Sequence, residues 1–294
     1  MIIPNEMMFN LKITVMKKLR ISFFIMSLLA ISFSFSSCEK DISENPGNNF
    51  TTITDYTALL GILDLNDLDD VSTEDALKSA AELDFGPCFT VTVHENENNE
   101  FWPRSWTFSY TDEECVDCFG KTKLGSVNVL LTDFWKNEGS SRTITFDDFS
   151  INGNKMEGTR TILNTGFNDL QNLTFDRSFM DASYSKGDTA TMTWESNRDV
   201  EMIAGYETFV AADDEYLVTG GANGINYDGN SFTVTISDAL YYKKCALFPV
   251  SGNITIEVEG ESSIYISYGE GECDNVAIMT VDDVSTEITL GDRF

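Results

Sequence analysis

The sequence predicts an all-β protein, built as an antiparallel sandwich or a long curling meander, with one short N-terminal helix ahead of it. Three observations carry this expectation. From Cys88 onward, runs of β-branched and aromatic residues alternate with period two. Turn residues separate those runs at hairpin distances. Outside the leader, a single segment carries helical periodicity.

That segment is Ser72 to Leu83. Ser72 can cap it, Glu74 and Asp75 suit the positive end of the helix dipole, and Ala76, Leu77, Ala80 and Ala81 form an apolar stripe. Strands are then expected at Phe89–Val93, Trp106–Tyr110, Thr143–Phe146, Thr189–Trp194, Phe232–Ile236, Ile254–Val258 and Ile264–Tyr268. Asn152-Gly153, Lys186-Gly187-Asp188, Asp228-Gly229, Glu259-Gly260 and Asp282-Asp283 place Gly, Asn or Asp where tight loops need positive φ. Short strands joined by short turns favour antiparallel pairing, with one buried and one wet face per strand.

The start of the chain speaks to location. Lys17, Lys18 and Arg20 form a positive region, Ile21 to Phe35 an apolar stretch too short and serine-rich for a comfortable bilayer span, and Ser36-Ser37 lead into Cys38. This resembles the lipobox of bacterial lipoproteins, although Phe35 stands where leucine is usual. The resemblance implies cleavage before Cys38 and acylation of its thiol, with palmitate-type chains as the membrane anchor. Met16-Lys17 offers a more economical start, which would make 1–15 a start-site artefact. The expected organisation is a signal peptide over 1–37, a polar tether over 38–56, a helical segment over 57–85 and a single β body over 86–294.

Charge excludes one class of partner. The whole chain carries −29, and residues 1–37 hold Lys12, Lys17, Lys18 and Arg20 against Glu6. The part beyond Ser37 therefore keeps 15 of the 19 basic and 47 of the 48 acidic residues. Such a chain repels nucleic acid, so no DNA or RNA partner is expected. Self-repulsion and solubility at a crowded cell surface explain the excess; binding of divalent cations is the sharper alternative.

The cysteines carry an internal echo. Phe108-Ser-Tyr-Thr-Asp-Glu-Glu-Cys115 and Ile266-Ser-Tyr-Gly-Glu-Gly-Glu-Cys273 are both a strand end, an acidic turn and a cysteine. Cys88 lies 27 residues before Cys115, and Cys245 lies 28 before Cys273. The repeat suggests disulfides Cys88–Cys115 and Cys245–Cys273, each contributing about 3 kcal/mol. Cys118 is left over. A redox role for Cys115-Val-Asp-Cys118 is disfavoured because Asp112, Glu113, Glu114 and Asp117 would raise the thiol pKa. Zinc is disfavoured because there is no second Cys-x-x-Cys and His94 is the only histidine.

Taken with the leader, the paired hairpins and Tyr268-Gly-Glu-Gly-Glu-Cys273-Asp-Asn275 resemble uncharacterised all-β lipoproteins of Bacteroidota, in which a Tyr-Gly-x-Gly-x-Cys-Asp-Asn element closes the C-terminal hairpin. Glu39, Asp41 and Glu44 after the lipid cysteine are similar to surface-export signals of such proteins. The resemblance implies an outer-membrane, surface-exposed location in a Gram-negative bacterium and an all-β fold. It brings no activity.

Three constellations could carry chemistry. Glu270, Glu272 and Asp274 alternate, so an extended backbone would place them on one face, for Ca²⁺ or for acid–base work on sugars; a solvated turn around Gly269 and Gly271 is the plain alternative. The acidic pairs Asp147-Asp148 and Asp213-Asp214 are similarly ambiguous. Asp64-Leu-Asn-Asp-Leu-Asp-Asp70 fails as an EF-hand, since Leu68 sits where an oxygen ligand belongs and Asp75 stands at the twelfth position. It reads as a solvated acidic loop. Trp102 and Trp106 are candidates for stacking on sugar rings, against core packing as the default for them as for Trp135 and Trp194. No catalytic residue is assigned, and no cofactor is expected beyond Ca²⁺ at the acidic turn. The functional expectation is a lipid-anchored envelope protein with a non-enzymatic binding, adhesion or structural role. A polysaccharide-binding accessory protein comes second and a carbohydrate-active hydrolase third, with a polysaccharide or surface protein as partner.

Overall fold

The computed structural model describes residues 89–94, 101–110, 122–187, 189–208, 211–246 and 248–290. They form one sheet of thirteen antiparallel strands: β1 (Phe89–His94), β2 (Arg104–Tyr110), β3 (Lys123–Leu131), β4 (Ser141–Ile151), β5 (Asn154–Phe167), β6 (Leu173–Lys186), β7 (Ala190–Ala204), β8 (Glu215–Ile225), β9 (Ser231–Lys243), β10 (Ser251–Val258), β11 (Ile264–Glu270), β12 (Val276–Val281) and β13 (Val284–Thr289). Strand order follows chain order from end to end, and the sheet is not closed. Of the two architectures the sequence allows, this is the meander. Among the described residues the only helical element is a 3₁₀ turn at Ala211–Asp213. The expected helix over Ser72–Leu83, together with Cys38, Cys88, Cys115 and Cys118, lies outside the described residues.

The turns explain the meander. Asn152 and Gly153, Gly187, Gly229, Gly260, and Asp282 and Asp283 all have positive φ, at the turns named from sequence. One connection not named from sequence carries its positive φ on Gln171, at 65°, where the matching turn has Gly229. Asn168–Asn172 joins β5 to β6 and matches Asn226–Asn230, which joins β8 to β9. In each, the first asparagine's Oδ1 accepts the backbone N–H groups two and four residues on, at 2.9–3.0 Å. The side chain closes a backbone ring that glycine would otherwise favour.

Alternation then divides the sheet into a buried and an outer face. One rung of the buried face runs Trp106–Val129–Ile144–Arg160–Phe179 from β2 to β6 and continues through Ala222, Val234, Ile256 and Ile264. The core extends from Phe149 in β4 to Leu290 after β13, with Leu173 and Ile256 fully buried.

Cys245 and Cys273 are bonded, with Cα atoms 5.6 Å apart. The bond ties the β9–β10 connection to the β11–β12 connection, across the hairpin between them. The first of these connections carries Ala246, Phe248 and Val250 into the core. Replacing both cysteines with serine should cost about 3 kcal/mol, read from the urea midpoint of the oxidised parent against the variant. An unchanged midpoint would remove the tether from the account of stability.

Candidate functional site

The outer face is where this sheet meets its surroundings, and its central rung is distinctive. Following the register strand by strand, it runs His94–Ser105–Leu130–Thr143–Thr161–Ser178–Asn197–Gly221–Thr235–Thr255–Tyr265–Thr280–Ser285. It crosses all thirteen strands without an acidic residue, a lysine or an arginine, in a chain of net charge −29. Each position is exposed or half-buried. At about 4.8 Å per strand the rung extends roughly 60 Å along the sheet.

Acids stand on both sides of it. Asp176 and Asp199 face each other one outward position away on β6 and β7. Glu195 and Glu257 flank the other side, on the ladder through Asn223 and Thr233. Hydroxyls dominate the rung itself, with Tyr265 39% exposed between Thr255 and Thr280. Hydroxyl and amide groups next to an open aromatic ring suit an uncharged, hydroxyl-bearing ligand.

The sequence-nominated tryptophans fall elsewhere. Trp106 is a correction: it is 5% exposed and packs with Val129, Leu131 and Ile144 on the buried face. In β2 the parity that turns Thr107 outward turns Trp106 inward. Trp102 is half-buried and meets Phe101 edge-on at 5.1 Å, so its ring face is not simply presented to solvent. Phe101 is the open ring there, 69% exposed with the Arg104 guanidinium 4.9 Å from its centroid. Trp135 stacks on Phe175 at 6.1 Å and Trp194 meets Phe179 edge-on at 5.5 Å. Tyr265 was missed in the sequence because Ile264–Tyr268 contains two tyrosines. Strand parity alone separates Tyr265 outside from Tyr268 inside.

The acidic turn is also corrected in geometry. β11 ends at Glu270, and Gly269 and Gly271 have φ of 93° and 118°, so the backbone bends instead of continuing extended. Glu272 Oε2 accepts the backbone N–H of Glu270 at 3.1 Å, and Asp274 Oδ1 accepts that of Val276 at 3.1 Å. These carboxylates organise the turn. Among the described residues no three His, Cys, Asp or Glu side chains gather as a metal site.

A second constellation lies on the buried face. Arg142, Arg160, Arg177 and Arg198 are 5–9% exposed, on four consecutive strands. Arg177 stands directly opposite Arg198, and Ile162 links Arg142 to Arg177 in register. Asp214 shares their burial and accepts a hydrogen bond from the Tyr216 hydroxyl at 3.1 Å. Burial first, and then the Asp214 charge, hold the Tyr216 phenol well above its ordinary pKa, while Arg177 and Arg142 pull it down. Gly205 makes the space: a Cβ there would lie 2.2 Å from Asp214 Oδ1. All four arginines and Asp214 are engaged within the fold.

The connections beside this cluster are fastened together. Lys136, after β3, donates to the backbone carbonyls of Tyr206 and, at 2.8 Å, Thr208, both after β7. Its ammonium also lies 4.9 Å from the Trp135 centroid. Asn164 donates to the Trp135 carbonyl at 2.8 Å.

Comparison of the chain with protein-family models, curated proteins and solved structures finds no match.

Proposed function

We propose that this chain is a lipid-anchored protein of a Gram-negative outer membrane, held at the cell surface through Cys38, with a non-enzymatic binding or adhesion role. The observation that carries the binding role is the uncharged rung that crosses the outer face between flanking carboxylates. A neutral polysaccharide is the ligand class that fits it. Its hydroxyls can exchange hydrogen bonds with Thr, Ser and Asn, and one sugar ring can lie on Tyr265. The acidic flanks repel nucleic acid and acidic polymers. The lipobox residues supply the location, and the likeness to Bacteroidota lipoproteins agrees with it.

Affinity electrophoresis in gels containing hydroxyethyl cellulose, dextran or polygalacturonate tests the ligand class. Retardation by a neutral polymer is expected, and Tyr265→Ala should weaken it about 3- to 10-fold. Retardation by polygalacturonate alone, or an unchanged Tyr265→Ala variant, would count against the rung. Location is tested separately. Cys38→Ala should move the protein from the membrane to the soluble fraction, and unaltered partitioning would remove the anchor.

A further inference from the structure

We propose that the free edge of β13 is a docking surface for β13 of a second copy of this chain, joined antiparallel about a two-fold axis. β13 is the last strand of an open sheet and pairs only with β12 among the described residues. The β12–β13 turn fixes which backbone groups are left over. Asp282 and Asp283, with φ of 50° and 63°, make a two-residue hairpin loop, so Val281 and Val284 exchange hydrogen bonds. Alternation then points the N–H and C=O groups of Val284, Thr286 and Ile288 toward β12. Leu290 keeps that parity, donating to the Asn275 carbonyl at 2.6 Å. The groups of Ser285, Glu287 and Thr289 point the other way, into solvent. Every residue of the strand is exposed except Ile288, which is half-buried. Natural edges are usually blunted by lysine, proline or a bulge. β13 has none of these in its register with β12.

A second copy is the occupant because the edge is complementary to itself. With Thr286 on the axis, Ser285 of each copy meets Glu287 of the other, and both pairs exchange N–H···O bonds. Their side chains lie on the outer face, where the serine hydroxyl can donate to the carboxylate. On the inner face Val284, 67% exposed, meets Ile288 of the second copy. Moving the axis to Glu287 sets two carboxylates directly opposite each other, which disfavours that register. Moving it to Ile288 sets Thr286 against Leu290, which is already buried in its own core. An antiparallel pair of this kind is isologous and closes as a dimer, whereas β13 against β1 of another copy would build an open fibre. One short strand makes a small contact, at the weak end of protein interfaces. The assignment is independent of the outer-face reading, because it uses only the edge of β13.

Sedimentation equilibrium of the full chain in a density-matched detergent tests it to about 0.1 mM, at about 0.5 M NaCl to screen the like net charges. The parent should approach dimer mass, with the Ser285, Glu287 and Thr289 amides gaining protection from hydrogen exchange as concentration rises. Glu287→Pro removes a donor that β12 does not use. Its melting point should stay within about 3 °C of the parent's while dimerisation weakens at least about tenfold. A cysteine scan reads the register without proline. Thr286→Cys places the two thiols on the axis, at a Cα separation of about 4.5 Å, and should cross-link under mild oxidation above the background set by the parent's own cysteines. Ser285→Cys and Glu287→Cys should stay at background, since each lies more than about 7 Å from its own counterpart. A parent that remains monomeric, association untouched by Glu287→Pro, or equal cross-linking at all three positions would overturn the proposal. So would a monomer whose three edge amides are already protected, which would give the edge to a segment of the same chain. A ladder of higher oligomers would give it to β1 of the next copy, and the proposal would fall.

Discussion

Replacing Asp214 with alanine is expected to destabilise the protein by about 3–5 kcal/mol, because it is the one buried acid among the described residues and sits against Tyr216, which also feels the charges of Arg177 and Arg142. Asp214 is 5% exposed and accepts the Tyr216 hydroxyl. The loss therefore combines an uncompensated charge with a buried phenol deprived of its acceptor. Asp214→Asn separates the two parts, since the amide oxygen can still accept from Tyr216 while the charge is gone. Urea unfolding checks both variants: the midpoint should fall with the slope preserved. A loss below about 1 kcal/mol in Asp214→Ala, the size of an ordinary surface change, would mean that the aspartate does not compensate the arginines.

Gly224→Ala should be comparably damaging, at about 2–4 kcal/mol. The new Cβ would lie 2.0 Å from the Thr193 carbonyl oxygen and 2.8 Å from the Trp194 Cβ, on a neighbouring strand that cannot retreat without moving a buried tryptophan. The mechanism is close backbone approach between β7 and β8. Thr219→Ala, on the same strand but exposed, serves as the control and should stay within about 0.5 kcal/mol of the parent. Thermal unfolding of the three proteins checks this; a Gly224→Ala melting point equal to the control's would show that β8 can shift freely.

Much of this fold is legible in the sequence because its local signals agree. Every glycine- or aspartate-based hairpin turn named from sequence is a turn in the structure, and Cys245 pairs with Cys273 as the cysteine interval suggested. The longest strands are where reading by hydrophobic alternation falters. β5 alternates in burial and β6 does so on either side of a bulge at Met180–Asp181, yet Arg160, Asn164 and Arg177 occupy inward positions. A pattern that treats arginine as an outward residue sees those strands broken. The β5–β6 connection hides because Gln171 holds the positive φ that Gly229 holds in the matching β8–β9 turn, while Asn168 and Asn226 close the same ring in both. The outer rung could not be read at all. It is a property of register across thirteen strands, and only the pairing shows which residue of each strand belongs to it.

The end-to-end agreement of strand order with chain order bears on how such a protein is made. In the described sheet each strand finds its partner in the segment just before it, so loop closure is short at every step and contact order is low. A polypeptide that emerges gradually during synthesis can lay down one hairpin after another, without waiting for its far end. Growth of that kind resembles nearest-neighbour assembly in repeat proteins, with β4 through β9, the longest strands, offering the firmest platform for the strands that join the sheet after them.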